Sequence, residues 1–182
     1  KAIQGLLESE SGRISLPKGL RIGGVAQEAP ASSTSLLDVV LAADTERAAL
    51  LAERDTASDP HRMAEIETRL FDIQAQAAPA RAAAILAGLG FGAEDIVRPC
   101  SDFSGGWRMR VALAAVLFAE PDLLLLDEPT NYLDLEGALW LEDYLARYPH
   151  TVLLISHYRD LLNRANDENH HLEHCKLTLY TD

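Results

Sequence analysis

Two adjacent carboxylates, Asp127 and Glu128, are the clearest chemical feature of the sequence. They follow the apolar run 123–126, which predicts a buried parallel strand, and ligands of open α/β sheets bind beyond the carboxyl ends of such strands. An aspartate there can hold Mg²⁺ through the water shell of the ion. A glutamate held in place by Pro129 can polarise an attacking water. The alternative interpretation is a pair of solvated acids at the end of a strand.

Ser104, Gly105 and Gly106 are predicted to open a helix, 23 positions before Asp127. A hydroxyl group and two unhindered amides at a helix N-terminus favour an anion such as phosphate, because the helix dipole adds positive potential there. The same three residues also occur as an ordinary helix cap. The spacing to Asp127 favours the phosphate interpretation.

His157 and Gln27 each follow a predicted strand. His157 lies beyond the continuous apolar run Thr151–Ile155, which is typical of a strand covered on both faces. Its imidazole can donate a hydrogen bond to a terminal phosphate or orient the water beside Glu128. For Gln27 the local context also fits plain polar surface.

The sequence contains no segment of the form G-x-x-x-x-G-K-[ST], which is the loop that cradles nucleotide phosphates. Its three lysines are Lys1, Lys18 and Lys176, and none of them follows a glycine. We therefore expect these 182 residues by themselves to bind ATP poorly.

Charge and composition exclude several classes of protein. A net charge of −12 argues against broad electrostatic binding to nucleic acid, so direct DNA binding is not expected and any contact with RNA would be local. The longest apolar runs, 111–119 and 123–126, are too short to span a bilayer. No signal segment opens the chain, and two cysteines, Cys100 and Cys175, fit a reducing compartment. The expected location is the cytoplasm.

The elements that must position these residues divide the chain. Short strands are predicted at 13–16 and 20–26, and alternating helices and strands from 104 onward indicate an α/β core. Between them, Ser35 caps a predicted helix 36–54, Pro60 opens a second helix, and a third covers 79–89. The second helix carries a coiled-coil-like seam of five residues spaced alternately three and four apart, which predicts an antiparallel hairpin: Met63, Ile66, Leu70, Ile73 and Ala77.

Four segments together resemble the ABC ATPases, and specifically the ABC-F subfamily. They are FSGGWRMR at 103–110, LLLLDEP at 123–129, TNYLDLE at 130–136 and LLISHYRDLLN at 153–163. The resemblance covers nearly the whole chain. The W of FSGGW and the long helical arm are the features that point to the F subfamily.

The resemblance implies a role for five polar or charged residues of this sequence. Asp127 would be the Walker B aspartate that serves Mg²⁺, Glu128 the catalytic base and His157 the switch histidine. Asp134 would be the D-loop aspartate beside the nucleotide. Gln27 would occupy the Q-loop and serve both the nucleotide and Mg²⁺.

The resemblance also implies a partner domain. Ser104, Gly105 and Gly106 would contact the γ-phosphate of an ATP held by a second ABC domain, in the same chain or in a dimer. Proteins of the ABC-F subfamily act on the ribosome to influence translation and have no transmembrane partners.

The fold class implied is α/β, a P-loop NTPase-like ABC ATPase core with an inserted helical subdomain and arm. Residues 1–33 and 104–182 would form the core, and residues 34–103 the helical subdomain. The Walker A loop would lie just upstream of Lys1, so we expect a fragment of one ATPase domain. Departures from the family pattern are Tyr132, Tyr158, Cys175 and the polar stretch 166–171.

Two other functions remain open at this point. An ATP-binding subunit of a membrane transporter would share the same motifs, although Trp107 and the arm speak against it. A non-enzymatic module would offer only the SGG surface and the arm to a partner.

Overall fold

The computed structural model describes residue 3, residues 12–25 and 28–157, and the backbone of two further strands, 169–173 and 176–180. The strands are β1 Ile22–Gly24, β2 Leu123–Asp127, β3 Thr151–Ile155, β4 Asn169–Glu173 and β5 Lys176–Tyr180. The helices are α1 Leu36–Leu41, α2 Thr45–Arg54, α3 Pro60–Asp72, α4 Ala78–Gly88, α5 Gly105–Ala119 and α6 Leu135–Leu145. Short 3₁₀ helices cover Cys100–Asp102 and Pro129–Tyr132.

A parallel sheet in the order β1-β2-β3 confirms the predicted α/β fold, and β4 and β5 form a separate antiparallel pair. In β2, Leu124 and Leu126 are buried, whereas the flanking strands are less covered. The expectation that β3 is covered on both faces is wrong: Ile155 is 56% exposed and Leu153 is also exposed, while Val152 and Leu154 pack against the core.

The main core joins the sheet to α1, α4, α5 and α6. From α5 it takes Val111, Ala114 and Leu117, all fully buried against the sheet and the neighbouring helices. Helices α4 and α6 meet closely at Gly88, where an added Cβ would lie 2.0 Å from the Trp140 ring. No described helix is long and apolar enough to cross a membrane.

Two predicted elements are wrong: one helix is divided in two, and one strand is not formed. The helix expected over 36–54 is interrupted after Leu41, because the Asp44 side chain accepts a hydrogen bond from the Arg47 amide and so starts a new helix. The strand expected at 13–16 is irregular chain, in which Ile14 and Leu16 are exposed. Among the described residues no other strand pairs with 13–16, and an alternating pattern alone does not form a strand.

Helices α2 and α3 form the predicted hairpin, with a small core of its own around Ile66 and Leu70. The seam is shorter than predicted, since Met63 is exposed. Ion pairs join the two helices at Arg62–Glu53 and Arg69–Glu46, each 2.6 Å. Both pairs are largely exposed and contribute little to stability. The predicted division of the chain into 1–33 with 104–182 and 34–103 stays a prediction.

Candidate active site

The acid pair, Asp127 and Glu128, lies at the end of β2, where the parallel strands of the sheet finish together. The Glu128 amide donates a hydrogen bond to the Ile155 carbonyl at 2.8 Å, which continues the ladder for one more residue. Glu128 then adopts left-handed backbone angles, φ 47° and ψ 52°. Such a conformation is uncommon for a residue other than glycine and often marks a functional position.

His157 lies directly beside Glu128, and its predicted role toward phosphate or water stays a prediction. Its Nδ1 is 2.8 Å from Glu128 Oε2, and the His157 side chain is 77% exposed. The imidazole therefore lies within hydrogen-bond distance of one of the two carboxylate oxygens. The acid pair lines an open cleft, whose walls include Val25, Arg110 and Tyr132.

The SGG turn, Ser104–Gly106, begins α5. Ser104 is its N-cap residue, and its side chain makes no capping hydrogen bond. A Cβ added to Gly106 would meet no atom within 4 Å, so the side of the turn at Gly106 is open. A Cβ added to Gly105 would lie 2.7 Å from Glu28 Oε2. Among the described residues, the lining of the cleft includes the acid pair but none of the SGG turn. The two groups that are predicted to bind phosphate, the acid pair and the SGG turn, therefore lie on different surfaces of the described chain.

Asp134 begins α6 as its N-cap. Its Oδ1 accepts a hydrogen bond from the Gly137 amide at 2.9 Å, and its Oδ2 lies 3.2 Å from Arg110 Nη1. The hydrogen bond from Gly137, followed by that from Arg110, lowers the pKa of the Asp134 carboxyl against the opposing effect of burial. This geometry gives Asp134 a structural role, and its predicted contact with nucleotide stays a prediction.

Gln27 lies outside the described residues, so its predicted roles toward nucleotide and Mg²⁺ cannot be placed. Among the described residues there is no group of three or more side chains that could hold a metal ion alone. A single exposed aspartate at a strand end, Asp127, nevertheless fits Mg²⁺ that keeps most of its water shell and arrives with phosphate.

Sequence reasoning missed two arginines on α5. Arg108 donates to the Phe103 carbonyl at 2.7 Å and to Glu28 Oε1 at 3.0 Å, which fixes the SGG turn against the chain that follows Gln27. Arg110 contacts the turn that follows the acid pair. Their position on an otherwise apolar helix could have indicated that they make specific contacts. A charged side chain among buried apolar neighbours needs a hydrogen-bonding or charged partner.

A family model described as ABC transporter matches residues 1–131. The protein "ATP-binding cassette sub-family F member 3" of Rattus norvegicus is 46% identical over 176 residues, which cover 91% of this chain and 25% of that protein. "Probable ATP-binding protein YheS" of Escherichia coli (strain K12) is 43% identical over 178 residues, covering 96% and 28%. The chain thus spans about a quarter of the length of these relatives.

Solved structures share the fold at low identity. RNase-L Inhibitor is 22% identical with a TM-score of 0.60, covering 91% of this chain and 27% of that one. A dimeric ATP-binding cassette bound to ADP and Pi is 20% identical with a TM-score of 0.57, covering 88% and 62%. An archaeal ribosome recycling factor, in complex with a ribosomal stalk protein, is 21% identical with a TM-score of 0.62, covering 93% and 28%.

Proposed function

The chain belongs to the ABC transporter family, and we propose that it supplies an ATP-hydrolysing site of an F-type protein that acts on the ribosome. The observation that carries the catalytic part is the 2.8 Å contact between His157 and Glu128, at the end of a parallel sheet. A carboxylate held in this way, on a left-handed residue, is positioned to take a proton from water.

Each residue of the site then has one task. Glu128 accepts the proton of the water that attacks the γ-phosphate, and His157 fixes the direction of the Glu128 carboxylate. Mg²⁺, when bound with the nucleotide, neutralises phosphate charge, and Asp127 would hold it through water. Gln27 would complete the nucleotide and Mg²⁺ sites from the chain beside Glu28.

The SGG turn would serve a second nucleotide. Its Ser104 hydroxyl, which makes no capping hydrogen bond, and the open space beside Gly106 suit the γ-phosphate of an ATP held by a second ABC domain. Asp134 would lie at the same contact between domains. In this arrangement two ATP molecules are enclosed between two domains, and each domain contributes acids to one and amides to the other.

The ribosomal part of the proposal rests on the likeness to F-type proteins. The segment 34–103 would form the helical subdomain, with the α2–α3 hairpin as an arm that contacts a partner. Since the whole chain carries a net charge of −12, the contact between the arm and ribosomal RNA is expected to be local. We place the protein in the cytoplasm, where ribosomes act.

The test replaces Glu128 with glutamine in the full-length gene product, because these 182 residues contain no phosphate-cradling loop. We expect ATP turnover to fall by about 10²–10⁴-fold, because the variant loses general-base catalysis. ATP binding should be kept, because glutamine has nearly the same size and shape as glutamate. Glu120→Gln is the matched control, because Glu120 is also a left-handed glutamate, with φ 49°, but lies ahead of β2.

The outcomes separate the two parts of the proposal. Wild-type turnover in Glu128→Gln would rule out Glu128 as the base. Sedimentation through a sucrose gradient then tests the second part: the ATP-bound Glu128→Gln protein should migrate with ribosomes. If it stays at the top of the gradient, the ribosomal role is wrong and the ATPase assignment stands.

A further inference from the structure

The Arg110 side chain connects α5 with two segments of the chain that are distant from it and from one another in the sequence. Its Nε donates to the Tyr132 carbonyl at 2.5 Å. Its Nη1 donates to the Leu89 carbonyl at 3.0 Å and lies 3.2 Å from Asp134 Oδ2. Only 10% of the side chain is exposed, and the guanidinium lies 4.4 Å from the centre of the Trp107 ring.

The surroundings are shaped for a guanidinium group. Gly90 has φ 96°, and a Cβ at that position would lie 2.8 Å from Arg110 Nη1, so a larger residue would displace the contact. The planar guanidinium group of arginine can donate hydrogen bonds to several acceptors at fixed angles and, at the same time, stack on an aromatic ring. A lysine ammonium has the same charge but cannot reproduce this set of contacts.

Arg110 also connects the two groups that handle phosphate. Tyr132 ends the 3₁₀ helix that starts directly after Glu128, and Arg110 lines the same cleft as Asp127 and Glu128. On its other side Arg110 stacks on Trp107, the residue that follows the SGG turn. Fixing the Tyr132 carbonyl therefore fixes the turn from which the Glu128 side chain projects.

We propose that Arg110 is a positioning residue for hydrolysis: it holds the turn Pro129–Tyr132 against α5 and so keeps Glu128 aligned with its water. The proposal rests on the proposed ATPase function. Arg110 does not touch the reacting atoms, so its effect passes through Glu128 and disappears when Glu128 no longer acts as the base.

The experiment measures ATP turnover in full-length protein carrying Arg110→Lys or Arg110→Gln, each with Glu128 and with Glu128→Gln. With Glu128 present, we expect Arg110→Lys to lower kcat at least 10-fold and Arg110→Gln to lower it further, with the KM for ATP within twofold of wild type. In the Glu128→Gln background, the same changes should alter the residual rate less than twofold.

Arg21→Lys is the matched control, because Arg21 donates to the Glu120 carbonyl and pairs with Asp122 at the opposite end of α5. It should leave kcat unchanged. Hydrogen exchange gives a readout without turnover: amides of residues 130–134 should exchange faster in Arg110→Lys and at the wild-type rate in Arg21→Lys.

Three results would overturn the inference or its premise. A wild-type kcat in Arg110→Lys contradicts the proposal, and so does an equal loss in both backgrounds, which indicates general structural damage. Unchanged exchange of 130–134 contradicts the mechanism by which Arg110 acts. If wild type and Arg21→Lys both fail to hydrolyse ATP, the proposed function is wrong instead.

Discussion

Replacing Gly106 with alanine should move stability and activity in opposite directions. Gly106 lies in the first turn of α5, outside the left-handed φ range, and an added Cβ meets no atom within 4 Å. The substitution therefore has no steric cost in the isolated chain. Because alanine favours helix over glycine by about 0.5–1 kcal/mol in a helix interior, the midpoint of thermal unfolding should stay level or rise by about 1–4 °C.

Activity should fall because the open space at Gly106 is where a phosphate from a second domain would approach. A methyl group there keeps the phosphate away from the amides of the SGG turn. The loss of one such hydrogen bond to developing charge costs about 10²–10³-fold in kcat. We therefore expect a stable, folded protein with turnover lowered about 100-fold or more.

The comparison variant is Gly88→Ala, which also adds one methyl group to a helix. Its Cβ would lie 2.0 Å from the Trp140 ring, so α4 and α6 would have to separate, at a cost of roughly 1–3 kcal/mol. Thermal unfolding and steady-state ATPase assays on the full-length protein measure both effects. Wild-type turnover in Gly106→Ala would refute the proposed role of the SGG turn. A lowered unfolding midpoint in that variant would refute the steric argument.

Two further predictions concern stability. Burial raises the pKa of Tyr144 to about 12, so its stabilising contribution is fully present below about pH 10 and is lost as the pH rises toward 12. Absorbance at 295 nm should show Tyr144 ionising late, and Tyr144→Phe should make unfolding less sensitive to pH in that window; an ordinary titration near pH 10 would contradict this. In the α2–α3 hairpin, Ile66→Ala should cost about 2–5 kcal/mol, whereas Met63→Ala, which changes an exposed side chain, should cost far less. In Ile66→Ala, the amides of residues 45–72 should exchange faster with solvent, whereas those of β2 should keep the wild-type rate. Equal losses of stability in Ile66→Ala and Met63→Ala would contradict the separate core of the hairpin.

The positions of Asp127, Glu128 and His157 could be predicted from the sequence because each of them follows a local apolar run. A run of leucines closed by Asp127 predicts a buried strand that emerges into solvent, and β2 ends there. Once β2 and β3 are parallel neighbours, the residues beyond their carboxyl ends must lie together. This is why the sequence could place Glu128 and His157 at the same edge of the sheet, whereas the 2.8 Å contact between them is a finding of the structure.

The break between α1 and α2 could not be placed in the same way. Residues 42–44 contain no glycine or proline, and alanine favours helix, so propensity alone predicts continuation. The Asp44 side chain decides the matter by capping the next helix. Arg110 was missed for a related reason, because its acceptors at Leu89 and Tyr132 are backbone carbonyls, which any sequence would provide. Only the path of the chain brings them together.

The two left-handed glutamates that flank β2 differ in what explains their backbone angles. Glu120, with φ 49°, closes the end of α5, and its amide donates to the Leu117 carbonyl, so ending a helix explains its conformation. Glu128, with φ 47°, ends no helix. A left-handed conformation costs about 1–2 kcal/mol in a residue with a Cβ, and glycine would avoid that cost. Glycine has no carboxylate to set beside His157, so the base that we propose at this position would have to bear that strain.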